Sequence, residues 1–379
     1  MKQMGFAQAI EDALAQAMAE DQRIVIMGED VRGLRLNLYV RFGGERVLNT
    51  PISESAFLGA AVTAAMAGLH PVAEIMLVDF LGVAMSALLN EAAKIATFSG
   101  GKWRVPLVVR AACGGGYGDA GQHEQSLWSW LAHIPGLAVV VPSNPADAGG
   151  LMLAALQHSG PVIYLEHKLL ADYWLESLGS GGRKTVHYDV PQSGSYGPVP
   201  SRWQATPIGQ AATLRTGDDL TIASLGVGVH RALEAAQVLA AQDISTEVID
   251  LRTVSPLDSQ TVCASVARTG RLLVVDEDYQ GFGLSGELAA VVLEADINFK
   301  YARVCTSGSI PYARHLEDQV LPNVERIFSA ASGLVRAEKV SALMAEEYVV
   351  KRAQRGSRKK FESALSKVAN VEPEEHDQL

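Results

Sequence analysis

Val72–Ser99 reads VAEIMLVDFLGVAMSALLNEAAKIATFS, and the pattern in it recurs along the chain. The run Val72–Leu77 is apolar apart from Glu74, which is how a strand buried on both faces of a sheet reads. From Asp79 to Ser99 the residues follow a helical period, with almost no polar face in the first half. A helix with so little polar surface is expected to lie between layers or between subunits. A short apolar run feeding an Ala-rich helical segment is one half of a βαβ unit around a parallel sheet.

The same alternation extends on both sides. Ile24–Met27, Val105–Ala111, Ala138–Val141 and Val162–Glu166 read as further strands, and Ser55–Gly68, Gln125–His133 and Pro145–His158 as helices. Met1–Asp21 mixes Lys2, Glu11, Asp12 and Glu20 with Ala and Met at helical spacing, so it reads as a folded helix and neither a signal nor a transit peptide. From Gly179 to Gly209 the chain is rich in Gly, Ser and Pro and keeps no period, the composition of a linker. Strand and helix then alternate again: strands at Leu220–Ser224, Thr246–Asp250, Leu272–Asp276 and Ala302–Cys305, with helices at Val229–Ala241, Leu257–Arg268 and Leu284–Ala295. The expected organisation is an α/β domain over 1–178, a linker over 179–210, a smaller α/β domain over 211–330, and a charged helical or disordered tail over 331–379.

Composition narrows the function classes. The 379 residues allow two or three domains at about 150 residues each. With 32 Lys+Arg against 42 Asp+Glu, a formal charge of −10 argues against a nucleic-acid-binding surface. Cys113, Cys263 and Cys305 share no metal-ligand spacing and form no disulfide framework, which fits the cytoplasm. No apolar run reaches membrane-spanning length. Two G-x-G-x-x-G matches, starting at Gly116 and Gly281, invite a dinucleotide reading. The first lacks an acidic residue at the end of the next strand, and the second follows Asp276-Glu277-Asp278, three carboxylates where a phosphate needs none. Both read as glycine-rich turns.

Three features of the first domain carry chemistry. Thr50-Pro51-Ile52-Ser53-Glu54 sets a carboxylate at the start of an apolar helix, where it serves either a ligand or simply the helix dipole. The loop from Gly114 to His123 has five glycines, which permit close backbone approach to a ligand and deliver one imidazole to the carboxyl edge of the sheet. A lone histidine is also commonly structural. Glu74 to Phe80 ends a strand with Met76 and Phe80 at a crossing point, a place that suits core and pocket equally.

Taken with Gly28-Glu29-Asp30-Val31, Asn90-Glu91-Ala92-Ala93-Lys94, Gln122-His123, Pro135-Gly136-Leu137, Asp250-Leu251-Arg252-Thr253, Pro256-Leu257-Asp258 and Val274-Val275-Asp276-Glu277, these residues resemble the β subunit of the thiamine-diphosphate-dependent 2-oxo acid dehydrogenase E1 component. The resemblance runs from about residue 4 to 330. It implies a transketolase-like pyrimidine-binding domain followed by a transketolase C-terminal-like domain, both doubly wound. Glu54 matches the glutamate that hydrogen-bonds the aminopyrimidine and promotes its imino tautomer, a task for a carboxylate poised in an apolar pocket. Ile52, Met76 and Phe80 match positions lining that ring, and His123 matches the histidine facing the substrate carboxylate.

The diphosphate of this cofactor is usually held through Mg²⁺ by a Gly-Asp-Gly…Asn motif, and the chain contains no Gly-Asp-Gly. The resemblance therefore implies an α subunit that supplies Mg²⁺, an α₂β₂ heterotetramer, and an E2 lipoyl acyltransferase core as acceptor. The expected activity is oxidative decarboxylation of a 2-oxo acid, with the Pro51-Ile52-Ser53-Glu54 run and Met76 leaning toward pyruvate over branched-chain or acetoin types. Glu277, Asp278 and Glu317 are the candidate acidic docking residues for E2, and the family also offers a K⁺ site near Pro142–Asp147, which these residues do not establish. The chain departs from the family in a shorter Val31–Phe42 segment, a longer linker, an added tail, and Glu124 where Ser is frequent. A split transketolase half and a non-catalytic scaffold are the competing readings.

Overall fold

The computed structural model describes residues 1–171 and 189–336, so the tail reading from 337 onward and the linker reading over 179–188 lie outside the described residues, while 331–336 are helical. Their strands are β1 (Lys2–Gly5), β2 (Ile24–Gly28), β3 (Val47–Asn49), β4 (His70–Leu77), β5 (Val108–Cys113), β6 (Ala138–Val140), β7 (Val162–His167), β8 (Tyr196–Val199), β9 (Ala212–Arg215), β10 (Leu220–Ser224), β11 (Thr246–Asp250), β12 (Thr253–Ser255), β13 (Arg271–Tyr279) and β14 (Lys300–Thr306). They form a seven-stranded sheet in the order β3-β2-β4-β5-β7-β6-β12, a five-stranded sheet in the order β14-β13-β10-β11-β9, and the antiparallel pair β1-β8. In the large sheet every pair is parallel except β12 on β6, and in the smaller one every pair except β9 on β11. The fold is thus α/β and doubly wound in both halves, as the alternating pattern predicts.

The apolar runs of the large sheet bury alternate residues in opposite directions, as the pleat requires. Val72, Val108 and Val162 face the helices Phe6–Glu20 and Pro145–Gln157. Ala73, Val109 and Ile163 face Glu54–Met66, Leu81–Ser86 and the second sheet. One core is therefore shared by the two sheets, with Ala223, Ile249 and Val274 continuing it.

Four stretches differ from expectation for physical reasons. Residues 79–99 are not one helix: a 3₁₀ turn (Val78–Phe80), the helix Leu81–Ser86, a π turn (Ala87–Ala92) and the helix Ile95–Phe98 follow each other. The π turn inserts a residue and keeps Leu88 and Ala92 in the core, while Val83 (63% exposed) and Phe98 (71%) face outward. The first residues are a strand because they pair with Tyr196–Val199. Within the predicted linker, the described part from 189 onward holds that strand, and Trp203 is buried with its indole N–H on Asp12 at 2.9 Å. Only Trp128–Ala132 of the predicted helix 125–133 is helical, because Gln125 and Leu127 (φ +45°) belong to the preceding loop. No helix among the described residues is long and apolar enough to cross a membrane.

Candidate active site

The chain steps from β2 outward to β3, then crosses back to β4 on the other side of β2. Such a reversal opens a crevice at the carboxyl ends of the flanking strands, where α/β sheets bind ligands. Glu29 leaves β2 there, Glu54 opens the helix that follows β3, and Met76 and Phe80 leave β4. Ser53 makes no side-chain cap, and Glu54, half-buried, is the acidic residue of the first helical turn. Burial raises the Glu29 carboxyl above its usual range, and the negative charges of Asp30 and Glu54 add to that. Ile52 (73% exposed) and Met76 (36%) give this rim an apolar surface open to the outside of the chain. Ser55 Oγ donates to the Val83 carbonyl at 2.6 Å, tying the Glu54 helix to the segment after Phe80.

Beneath the rim lies an ionic chain that sequence reasoning missed. Arg35 reaches Glu74 at 2.9 Å, Arg110 reaches Glu74 at 3.1 Å, and Arg110 reaches Glu166 at 2.7 Å. All four side chains are at most 8% exposed. Burial pushes the Glu74 carboxyl up, but the two guanidiniums win and hold it below the usual carboxylate range. The available signal was a charge inside each of the adjacent apolar strands β4, β5 and β7, with Glu74 directly opposite Arg110.

The second part of the site is the loop after β5. Gly114 has φ +95°, and a Cβ there would overlap the His167 imidazole, so glycine is required. The loop brings His123 edge-on to the Phe80 ring, with centroids 5.8 Å apart and planes at 82°. Lys168 Nζ donates to the His123 carbonyl at 2.5 Å and sits over the Tyr117 ring at 4.9 Å.

The second domain clamps this loop through successive residues of β13. Asp276 accepts the Trp128 indole N–H at 2.9 Å, and Asp278 the Ser129 N–H at 2.8 Å. Glu277 accepts the Gly115 N–H at 2.8 Å and pairs with His167 Nε2 at 2.7 Å and Arg231 at 3.1 Å. The Tyr279 hydroxyl donates to Gln125, whose amide donates to Asp79. Burial, reinforced by Asp278, pushes Asp276 up to about 7. Glu317 is wholly buried and accepts the Gly118 N–H at 2.8 Å. This corrects the expectation that Glu277, Asp278 and Glu317 dock an E2 core. They are 4%, 5% and 0% exposed, Glu277 and Glu317 engaged by the histidine loop and Asp278 by Ser129 of the helix after it, so they offer no open docking surface.

At Pro142–Asp147, Ser143 Oγ donates to Asp250 at 2.5 Å and Arg252 pairs with Asp147 at 2.8 Å. Burial raises the Asp250 carboxyl to about 7. This turn fastens the second domain to the first. No cluster of His, Cys, Asp and Glu suited to a metal ion occurs among the described residues.

The transketolase pyrimidine-binding domain model matches residues 2–172, and the transketolase C-terminal domain model residues 209–327. The chain is 39% identical over 351 residues to the β subunit of acetoin:2,6-dichlorophenolindophenol oxidoreductase of Cupriavidus necator, covering 87% of this chain and 97% of that one. It is 37% identical to the pyruvate dehydrogenase E1 component subunit β of Rhizobium meliloti (88% and 70% covered) and 37% identical to the 2-oxoisovalerate dehydrogenase subunit β of Bacillus subtilis (87% and 98%). Among solved structures, a split-gene transketolase described as an inactive β4 tetramer superposes with a TM-score of 0.69 at 20% identity, over 88% of this chain and 98% of that one.

Proposed function

The chain belongs to the E1 β-subunit family of the 2-oxo acid dehydrogenases, and from that membership we propose that it holds the pyrimidine end of thiamine diphosphate and, with an α subunit, decarboxylates a 2-oxo acid, pyruvate first. The observation that carries the reading is the ring contact that joins the crevice to the histidine loop: Phe80, leaving β4 beside the exposed Met76, meets His123 edge-on, while Glu54 opens the helix after β3 next to the exposed Ile52.

The residues present fit the pyrimidine half of the cofactor. An apolar rim beside a carboxylate at a helix start suits a flat heterocycle with a ring nitrogen to hydrogen-bond. They do not fit the diphosphate half, for which the chain has no Gly-Asp-Gly, and that half with its Mg²⁺ belongs to the α subunit. When bound, the cofactor supplies a carbon nucleophile for the 2-oxo group. Glu54 hydrogen-bonds the ring nitrogen and shares a proton with it. Ile52 and Met76 exclude water from the ring. His123, oriented by Phe80, hydrogen-bonds the carboxylate of the 2-oxo acid. The lipoyl disulfide of an E2 core would be the acceptor, taking the carbon fragment on one sulfur and, with two electrons and a proton, leaving the other as a thiol.

The exposed apolar residues support an α₂β₂ assembly. Ile52, Val83 and Phe98 suit contact with the α subunit, while Trp130 and the fully exposed Phe282, which line a groove of about 1000 Å³, suit a second β subunit. A cytoplasmic location goes with the reading. The deciding experiment is co-expression with an α-type chain bearing Gly-Asp-Gly…Asn, assayed with pyruvate, acetoin and 3-methyl-2-oxobutanoate. The isolated chain is expected to bind thiamine diphosphate weakly and the pair to oxidise pyruvate fastest. Tight Mg²⁺-dependent binding by the chain alone overturns the shared site. Activity on a ketose phosphate without a lipoyl acceptor decides for a transketolase half.

A further inference from the structure

We propose that Glu317, a residue of the second domain, positions His123 by sharing one proton with Glu124, so that a carboxylic acid–carboxylate pair fastens the histidine loop. The inference rests on the reading of His123 as the substrate-facing histidine.

The geometry leaves little alternative. Glu124 Oε1 accepts the Tyr117 N–H at 2.6 Å, and Glu317 Oε1 accepts the Gly118 N–H at 2.8 Å. Two consecutive amides of the loop are therefore held by carboxyl groups from different domains. Both side chains are wholly buried, and the remaining oxygens, Glu124 Oε2 and Glu317 Oε2, are sealed from solvent with no hydrogen-bond donor on either. The two carboxyls lie within hydrogen-bonding reach of each other. Two like charges at that separation in a dry site repel strongly, whereas one proton between the free oxygens gives each its missing partner.

The surroundings agree. Arg314 approaches Glu317 Oε2 only to 3.5 Å, and its charge falls short of compensating two carboxylates. Lys168 faces Glu124 but spends its ammonium on the His123 carbonyl and the Tyr117 ring; burial pulls its pKa down, and Glu124, Asp119, Asp79 and Cys113 are the other groups facing it. Burial, followed by contact with Glu317, raises the Glu124 carboxyl to about 9. The pair thus holds its proton at neutral pH. Because Glu124 adjoins His123 in the chain and Lys168 holds the His123 carbonyl, the fixed pair sets where the imidazole points.

The test uses the αβ complex. Glu317→Gln and Glu124→Gln each replace the shared proton with an amide N–H, so each is expected to keep kcat for pyruvate within about threefold. Glu317→Ala empties the position and is expected to lower kcat about tenfold or more, with thiamine diphosphate affinity, read by tryptophan fluorescence, unchanged. The wild-type rate is expected to fall above pH ~9, and that of Glu124→Gln to stay level there. Infrared difference spectra at neutral pH, wild type minus Glu317→Gln, are expected to show a protonated-carboxyl carbonyl band. If Glu317→Ala does not fold, that band and the Gln variants still decide. Full kcat in Glu317→Ala while His123→Ala is inactive overturns the proposal, as do Gln variants as impaired as Ala or an absent band. If His123→Ala is itself fully active, the reading of the active site fails instead.

Discussion

The Phe80 ring meets the His123 imidazole edge-on at 5.8 Å, which joins a residue leaving β4 to one on a loop that β5 delivers. Edge-to-face pairs contribute roughly 0.5–1.5 kcal/mol beyond their buried area. Phe80→Leu keeps apolar volume and removes the directional contact. The expected outcome in the αβ complex is a fall in kcat/KM of about 2- to 10-fold. An unchanged value means that the ring does not orient the histidine.

Arg110 carries the ionic chain beneath the crevice, touching both Glu74 and Glu166. Removing it leaves Glu166 buried without its guanidinium, and breaking a buried pair costs about 3–5 kcal/mol. Arg110→Met is expected to lower stability by that order in urea unfolding. Glu166→Gln in the same chain should recover part of it, because the buried carboxylate that lost its guanidinium is gone. Equal losses in the single and double variants contradict the coupling.

Glu277 has its own pH signature. Burial alone raises its carboxyl, but His167 and Arg231 reverse that and hold it at about 2, against an ordinary value of 4.5. A depressed carboxyl contributes stability above its unfolded pKa, and that contribution is lost as pH falls through the folded value. Glu277→Gln is therefore expected to cost about 2–4 kcal/mol near pH 7, with the gap to wild type closing between about pH 4.5 and 2. Thermal unfolding of both proteins across that range checks it. A gap that stays constant with pH assigns the loss to packing.

Gly114→Ala tests the glycine that lets the loop pass His167. A left-handed backbone costs a non-glycine residue about 1–2 kcal/mol, and the added methyl meets the ring. The expected loss exceeds about 2 kcal/mol and comes with reduced activity. A neutral substitution excludes that close approach.

The candidate site residues were more legible in the sequence than the residues that support them. Glu54 and His123 announce themselves locally, one by opening an apolar helix and the other by ending a glycine run, and both stand beside the sheet's carboxyl edge. Asp276-Glu277-Asp278 misled because three consecutive acids look like solvated surface. Their partners, Trp128, Gly115 and Ser129, are about 150 residues away in the chain, and no local pattern announces them. The break of 79–99 into four turns was hidden for a different reason. An almost wholly apolar stretch reads the same whichever of its faces is buried, so only its neighbours fix the register. Tyr196–Val199 stayed invisible because a four-residue edge strand with Gly197 and Pro198 has no alternation to show.

Thr253–Ser255 completes the large sheet from beyond the start of the second domain. A gene fragment ending near residue 210 would leave Ala138–Val140 as a bare edge, its unpaired amides a template for any passing strand. The two halves therefore make a single unit of synthesis and inheritance. A truncation that separates them is expected to expose that edge to intermolecular pairing.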